Sequence, residues 1–141
     1  MKTSKKTDYA VHALIILARN EAKEISVNEI AEIEKVSPSY LAKVMQALSR
    51  NGLVSSSEGK EGGYQLNKRA SEINLADIME VFEEKENIFD CVDQVHGCTI
   101  RDRCKIHRAF TEAYQNMLEE LRKTTIEDLM DPEIKFNQNS K

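Results

Sequence analysis

The sequence contains no run of 18 consecutive apolar residues, and its opening Met1-Lys2-Thr3-Ser4-Lys5-Lys6 leads into an amphipathic segment rather than an apolar core ending at a cleavage site. Membrane-spanning and exported classes are therefore not expected, and the expected location is the cytoplasm. Cysteine is scarce. Three residues, an odd number gathered within 14 positions, make no disulfide framework, and in a reducing compartment such a group more often binds metal or reacts. No two cysteines stand close enough for the tight knuckles of a structural zinc site. Paired carboxylates, a nucleophile elbow and a phosphate-binding loop are all missing, so catalysis is not expected. Internal repeats and low-complexity segments are missing too.

What is present suits one core of ordinary size with a small appendage, since 40% of the 141 residues are apolar and 31% charged. The net charge of −4, taken as a sum, argues against nucleic acid, but the charge is uneven. Residues 1–70 carry 11 Lys and Arg against 8 Asp and Glu, whereas residues 71–141 carry 9 against 16. A basic front half and an acidic rear half are compatible with DNA binding by the front, although segregated surface charge decides nothing alone.

Apolar periodicity and capping signals divide the front half. Val11, Leu14, Ile15 and Ala18 follow the spacing of a buried helical stripe. Ser26 and Glu29 make a capping box for a second helix that runs to about Ile33. Ser37-Pro38 opens a third, with proline where its missing N–H costs nothing. In that helix Leu41, Val44, Met45 and Leu48 point inward, while Ser39, Lys43, Gln46 and Arg50 fall on the opposite side. A turn between two short helices, the second with a polar, partly basic face, meets the requirements of a recognition helix in the DNA major groove. An ordinary solvated face is the alternative. Asn51-Gly52 then ends the helix, residues 53–55 and 64–66 read as strands, and three glycines within residues 59–63 let a hairpin tip approach a phosphate backbone closely, with Lys60 as the expected contact. Helix, turn, helix and glycine-rich wing together favour DNA binding over the solvated face.

Asn74 caps a fourth helix bearing Leu75, Ile78, Met79 and Phe82. From about Asp102 a long helix carries Ile106, Phe110, Ala113, Tyr114, Met117 and Leu121 at near-heptad spacing, and is read as a dimerisation helix because a two-fold protein suits a palindromic operator on double-stranded DNA. The expected organisation is mainly α with a small β-hairpin: a winged helix-turn-helix over 1–84, a cysteine segment over 85–104, the dimerisation helix and a short terminal helix over 105–130, and a polar tail over 131–141.

Cys91, Cys98 and Cys104 are separated by six and five residues. Such spacing lets thiolates on a long loop reach different irons of an iron–sulfur cluster, in which histidine sometimes replaces one thiolate. His107, one helical turn after Cys104, is better placed than His96 for the fourth position. Free thiols or a disulfide switch remain as alternatives, because spacing excludes neither.

The runs Lys5-Lys6-Thr7-Asp8-Tyr9-Ala10-Val11, Ser37-Pro38-Ser39-Tyr40-Leu41, Asn51-Gly52-Leu53-Val54-Ser55-Ser56 and Gly62-Gly63-Tyr64, followed by the three cysteines, resemble the Rrf2 family of bacterial regulators, of the IscR, NsrR and RirA type, over about residues 1 to 130. The resemblance implies a homodimer with crossed long helices, DNA contacts from Ser39, Tyr40, Lys43 and the wing, and an iron–sulfur cluster on Cys91, Cys98 and Cys104 that senses iron, redox state or nitric oxide. It offers two fourth ligands: His107 from the same chain, or Asp8 of the partner subunit. Asp8 serves equally well as a surface or capping carboxylate of the first helix. The sequence departs from the family at the wing, where Glu58, Lys60 and Glu61 stand in place of arginine, proline and glycine; two carboxylates there repel phosphate. The competing functional reading is a cluster-free thiol switch that also binds DNA.

Overall fold

The computed structural model describes residues 3–59, 62–83 and 103–132. Five helices and one hairpin follow in order: α1 Lys5–Ala18, α2 Val27–Glu34, α3 Pro38–Arg50, β1 Val54–Ser56, β2 Tyr64–Leu66, α4 Leu75–Phe82 and α5 Lys105–Arg122. The architecture is mainly helical with a two-stranded antiparallel hairpin, as expected.

Local chemistry fixes most helix starts. Ser26 and Glu29 close a reciprocal box, with the Glu29 N–H donating to Ser26 Oγ at 3.2 Å and the Ser26 N–H donating to Glu29 Oε2 at 2.9 Å. Asn74 and Asp77 do the same for α4, and Ser37 Oγ accepts from the Tyr40 N–H ahead of Pro38. Gly52, with φ of 74°, takes the left-handed position that ends α3. The first helix starts six residues before its apolar stripe, because Ser4 caps it and Thr7 is buried in its first turn.

Residues 13–18 of α1 are buried without a break, so this helix is enclosed rather than laid on a surface. Around it pack Ile30 and Ala31 of α2, Leu41, Val44, Met45 and Leu48 of α3, Leu53 and Val54, and Ile73 and Ile78. Each such Leu or Ile contributes about 1.5–3 kcal/mol by leaving water. A second, smaller core joins α4 to α5 through Ala76, Met79, Tyr114 and Leu118. Leu118 was not part of the stripe read from the sequence. Of that stripe, Tyr114 is buried, Met117 and Leu121 lie partly covered, and Ile106 and Phe110 stand 57% and 44% exposed.

The chain returns to the main core after α5. Ile126 is fully buried there, its N–H donates to Ile73 O at 2.8 Å, and the Glu127 N–H donates to Ala70 O at 3.2 Å. One expectation is corrected here. Thr125 is held in an isolated bridge with Asn74, and residues 126–129 form turns closed by the Leu129 N–H to Thr125 O and the Met130 N–H to Glu127 O instead of a short helix, with Thr125 and Asp128 bonded side chain to backbone. The expected polar tail lies, beyond Pro132, outside the described residues.

Candidate DNA interface and cysteine site

On α3 the buried stripe turns Ser39, Lys43, Gln46 and Arg50 to solvent, as the periodicity requires. The helix contains no carboxylate, so Lys43 and Arg50 meet no opposing charge on their own element. Tyr40 is different. Half-buried, it sets its ring edge against Tyr9 of α1, with centroids 5.7 Å apart and planes at 78°, so it ties the recognition helix to α1 as well as facing outward.

The turn between α2 and α3 is built on a left-handed Lys35, at φ of 55°, whose N–H donates to Ala31 O and Glu32 O. Beside it lies a feature that sequence reading missed. The side chain of Glu34 is 1% exposed, and His12 Nδ1 of α1 stands 3.5 Å from its Oε1 while His12 Nε2 stands 3.5 Å from Asp8 Oδ1. At that separation the contact is an ion pair when His12 is protonated, and neither Glu34 oxygen accepts a closer hydrogen bond from the described residues. Burial pushes the Glu34 carboxyl up from its ordinary value. Contact with Glu34 raises the His12 pKa against burial, with Asp8 adding to the rise.

Both shifts have the same sign for stability. The His12 contribution is complete below its ordinary value of 6.5 and is lost as pH climbs through its raised native value. A carboxyl with a raised native pKa likewise favours folding on the acid side. Above pH 6.5 the midpoint of urea unfolding is therefore expected to fall with rising pH, and Glu34→Gln is expected to flatten that fall. Equal slopes for the two proteins in a pH series of urea titrations would remove this account.

In the wing, Val54 pairs with Leu66, Ser55 with Gln65 and Ser56 with Tyr64. Ile25 and Tyr64 exchange both backbone hydrogen bonds, at 2.9 and 2.8 Å, which anchors β2 to the segment before α2. Gly63 is required at this crossing, since a Cβ there would lie 2.6 Å from the Ile25 carbonyl. The Ser57 hydroxyl also hydrogen-bonds Glu24. Lys60, the expected tip contact, lies outside the described residues, as do Cys91, Cys98 and His96.

Cys104 is the N-cap residue of α5 and is half-buried; its side chain accepts no capping bond. A cavity of about 580 Å³ opens here, lined by Arg103, Cys104, Lys105, His107, Arg108, Thr111 and Glu112. The expected placement of His107 one turn beyond Cys104 holds, and the two side chains share the cavity. Asp8 is not among its lining residues; on α1 its side chain is 66% exposed. Three basic side chains and the positive end of the α5 dipole suit a bound group of net negative charge, such as a thiolate-ligated iron–sulfur cluster. Among the described residues no three His, Cys, Asp or Glu side chains converge as a metal site. Two of the three cysteines are outside that set.

A helix-turn-helix with an exposed, carboxylate-free second helix and an adjoining wing defines a DNA-binding transcriptional regulator of the winged-helix class. Residues 3–132 match the family model described as Rrf2, iron-dependent transcriptional regulator, and the chain belongs to that family. It is 35% identical to an HTH-type transcriptional regulator of Aquifex aeolicus over 129 residues, which cover 90% of each protein. Among solved structures it is similar to CymR, the global cysteine regulator of B. subtilis, with 29% identity, a TM-score of 0.68 and coverage of 92% of this chain and 96% of that one. It is also similar to IscR of T. potens, with 25% identity, a TM-score of 0.69 and coverage of 100% and 93%. Family and relatives are transcriptional regulators, not enzymes. Among the described residues no helix is long and apolar enough to cross a membrane.

Proposed function

We propose that the chain works as a homodimer that reads a palindromic operator with α3 in the major groove, and that an iron–sulfur cluster on Cys91, Cys98 and Cys104 controls its operator affinity. The observation that carries the cluster half is Cys104 at the positive end of α5 in a cavity rich in basic side chains, with His107 on the same wall. His107 is the fourth ligand that this wall supports, and Asp8 of the partner subunit is the competitor. When bound, the cluster supplies a centre that oxidants, iron shortage or nitric oxide can alter. The protein's own part is to hold it: thiolates as ligands, with Arg103, Lys105 and Arg108 offsetting its charge. The likeness to CymR of Staphylococcus aureus, solved in an oxidized form, supports the second reading, in which the cysteines act as a thiol switch without metal.

On the DNA side, Ser39, Gln46 and Tyr40 supply polar contacts at the groove, while Lys43, Arg50 and Lys60 meet phosphate or guanine. Lys43→Ala is expected to weaken binding to a selected duplex and to reduce the slope of log K against log salt by about one. Fluorescence anisotropy across a salt series measures both. An unchanged slope would take Lys43 off the phosphate backbone.

A further inference from the structure

We propose that Glu83 is a positioning residue that couples the cysteine segment to the recognition helix. The inference rests on the reading of that segment as the sensor.

Glu83 ends α4 and is the last described residue before the stretch that carries Cys91 and Cys98. Its Oε1 accepts two hydrogen bonds from α1, one from the Ser4 N–H at 2.8 Å and one from the Thr7 hydroxyl at 2.6 Å. The partners lie 76 and 79 positions away in sequence, so no local pattern announces them. Thr7 is 7% exposed, so its hydroxyl is shielded from water and bonds only to Glu83 and, at 3.3 Å, to Ser4 Oγ among the described residues. Burial opposes the Glu83 charge, yet the bonds from Thr7 and Ser4 outweigh it and hold the carboxyl below its ordinary value. A fixed anion thus grips the first turn of α1.

Helix α1 does not need Glu83 as a cap. Ser4 Oγ already accepts from the Thr7 N–H, whereas the Ser4 N–H that Glu83 binds precedes the helix. The carboxylate therefore locates α1 relative to the end of α4. On the α5 side, the hydroxyl of Tyr114 is buried without a hydrogen-bond partner among the described residues, and the charges of Glu80 and Glu83 add to burial in raising its pKa. Glu83 accordingly stands where α4 ends, α1 begins and α5 passes. The turn it grips presents Asp8 and leads into Tyr9, whose ring rests on Tyr40 at the start of α3. Moving Glu83 must drag that turn or break two bonds to it, and either event reaches α3 through one aromatic pair.

The test uses a duplex that the wild-type protein selects from a random-sequence pool. Its affinity is measured for protein prepared without oxygen and loaded with iron and sulfide, and again for the same protein with Cys91 and Cys98 changed to serine. The wild type is expected to show a difference of at least about fivefold between the two forms. Glu83→Ala is expected to shrink it to within about twofold, while Glu83→Gln, whose amide oxygen still accepts both bonds, retains most of it. Thr7→Val, which keeps the shape and removes the donor, is expected to act in the direction of Glu83→Ala, and it decides the matter if Glu83→Ala does not fold. A full wild-type difference in Glu83→Ala or Thr7→Val overturns the coupling role and leaves the sensor reading standing. No difference in the wild type itself overturns the sensor reading, and the coupling role with it.

Discussion

Replacing Cys104 with serine is expected to leave anaerobically reconstituted protein without iron, acid-labile sulfide or visible colour, and to give it the operator affinity of the cluster-free form. The thiol stands at the N-cap of α5, where the unbonded N–H groups of the first turn and the side chains of Arg103, Lys105 and Arg108 favour negative charge. Serine keeps the size but is a far poorer ligand for iron, so a cluster that depends on this position is lost while α5 keeps its start. Iron and sulfide per chain, with the visible spectrum, measure the outcome. Two further variants separate the fourth ligands. If His107→Ala changes the spectrum and Asp8→Ala does not, the ligand comes from the cavity wall; the reverse result assigns it to Asp8 of the partner subunit. Wild-type protein that stays colourless after reconstitution makes the thiol switch the leading account.

The second large effect concerns α5. Ile106→Glu is expected to convert a dimer into a monomer in sedimentation equilibrium and to weaken operator binding by more than about 100-fold, because two half-sites no longer act together. Ile106 is 57% exposed on the half of α5 that precedes the contact with α4, so a charge there disturbs little within one chain. Leu118→Ala is the contrast. That side chain is 2% exposed in the small core, and its loss is expected to cost about 2–5 kcal/mol of folding stability without a specific effect on association. A dimer that survives Ile106→Glu places the interface elsewhere.

Features legible in the sequence share one property: their partners lie within a few residues. The Ser26–Glu29 box, the Ser37-Pro38 start, the Gly52 stop and the stripe on α3 are all local, and all are present in the fold. Reading failed where a distant partner decides. Residues 125–129 look helical in isolation, but Thr125 is drawn into a bridge with Asn74 and only turns follow it. Leu118 falls one position past Met117, and only the placement of α4 shows that it is the buried one. At the candidate site, Cys104 and His107 share a cavity as their helical spacing implied. The grip of Glu83 on α1 and the burial of Glu34 against His12 had no signal in the sequence, since a glutamate at a helix end is ordinarily solvated.

The return of the chain to Ile126 has a consequence for synthesis. A ribosome delivers α1 to α4 first, yet the pocket among them that Ile126 fills stays open until more than 40 further residues have emerged. The reading head of this regulator is thus incomplete until residues 83–126 have been made, and a nascent chain that stalls in between offers the quality-control machinery an unsealed core in place of a working DNA-binding unit.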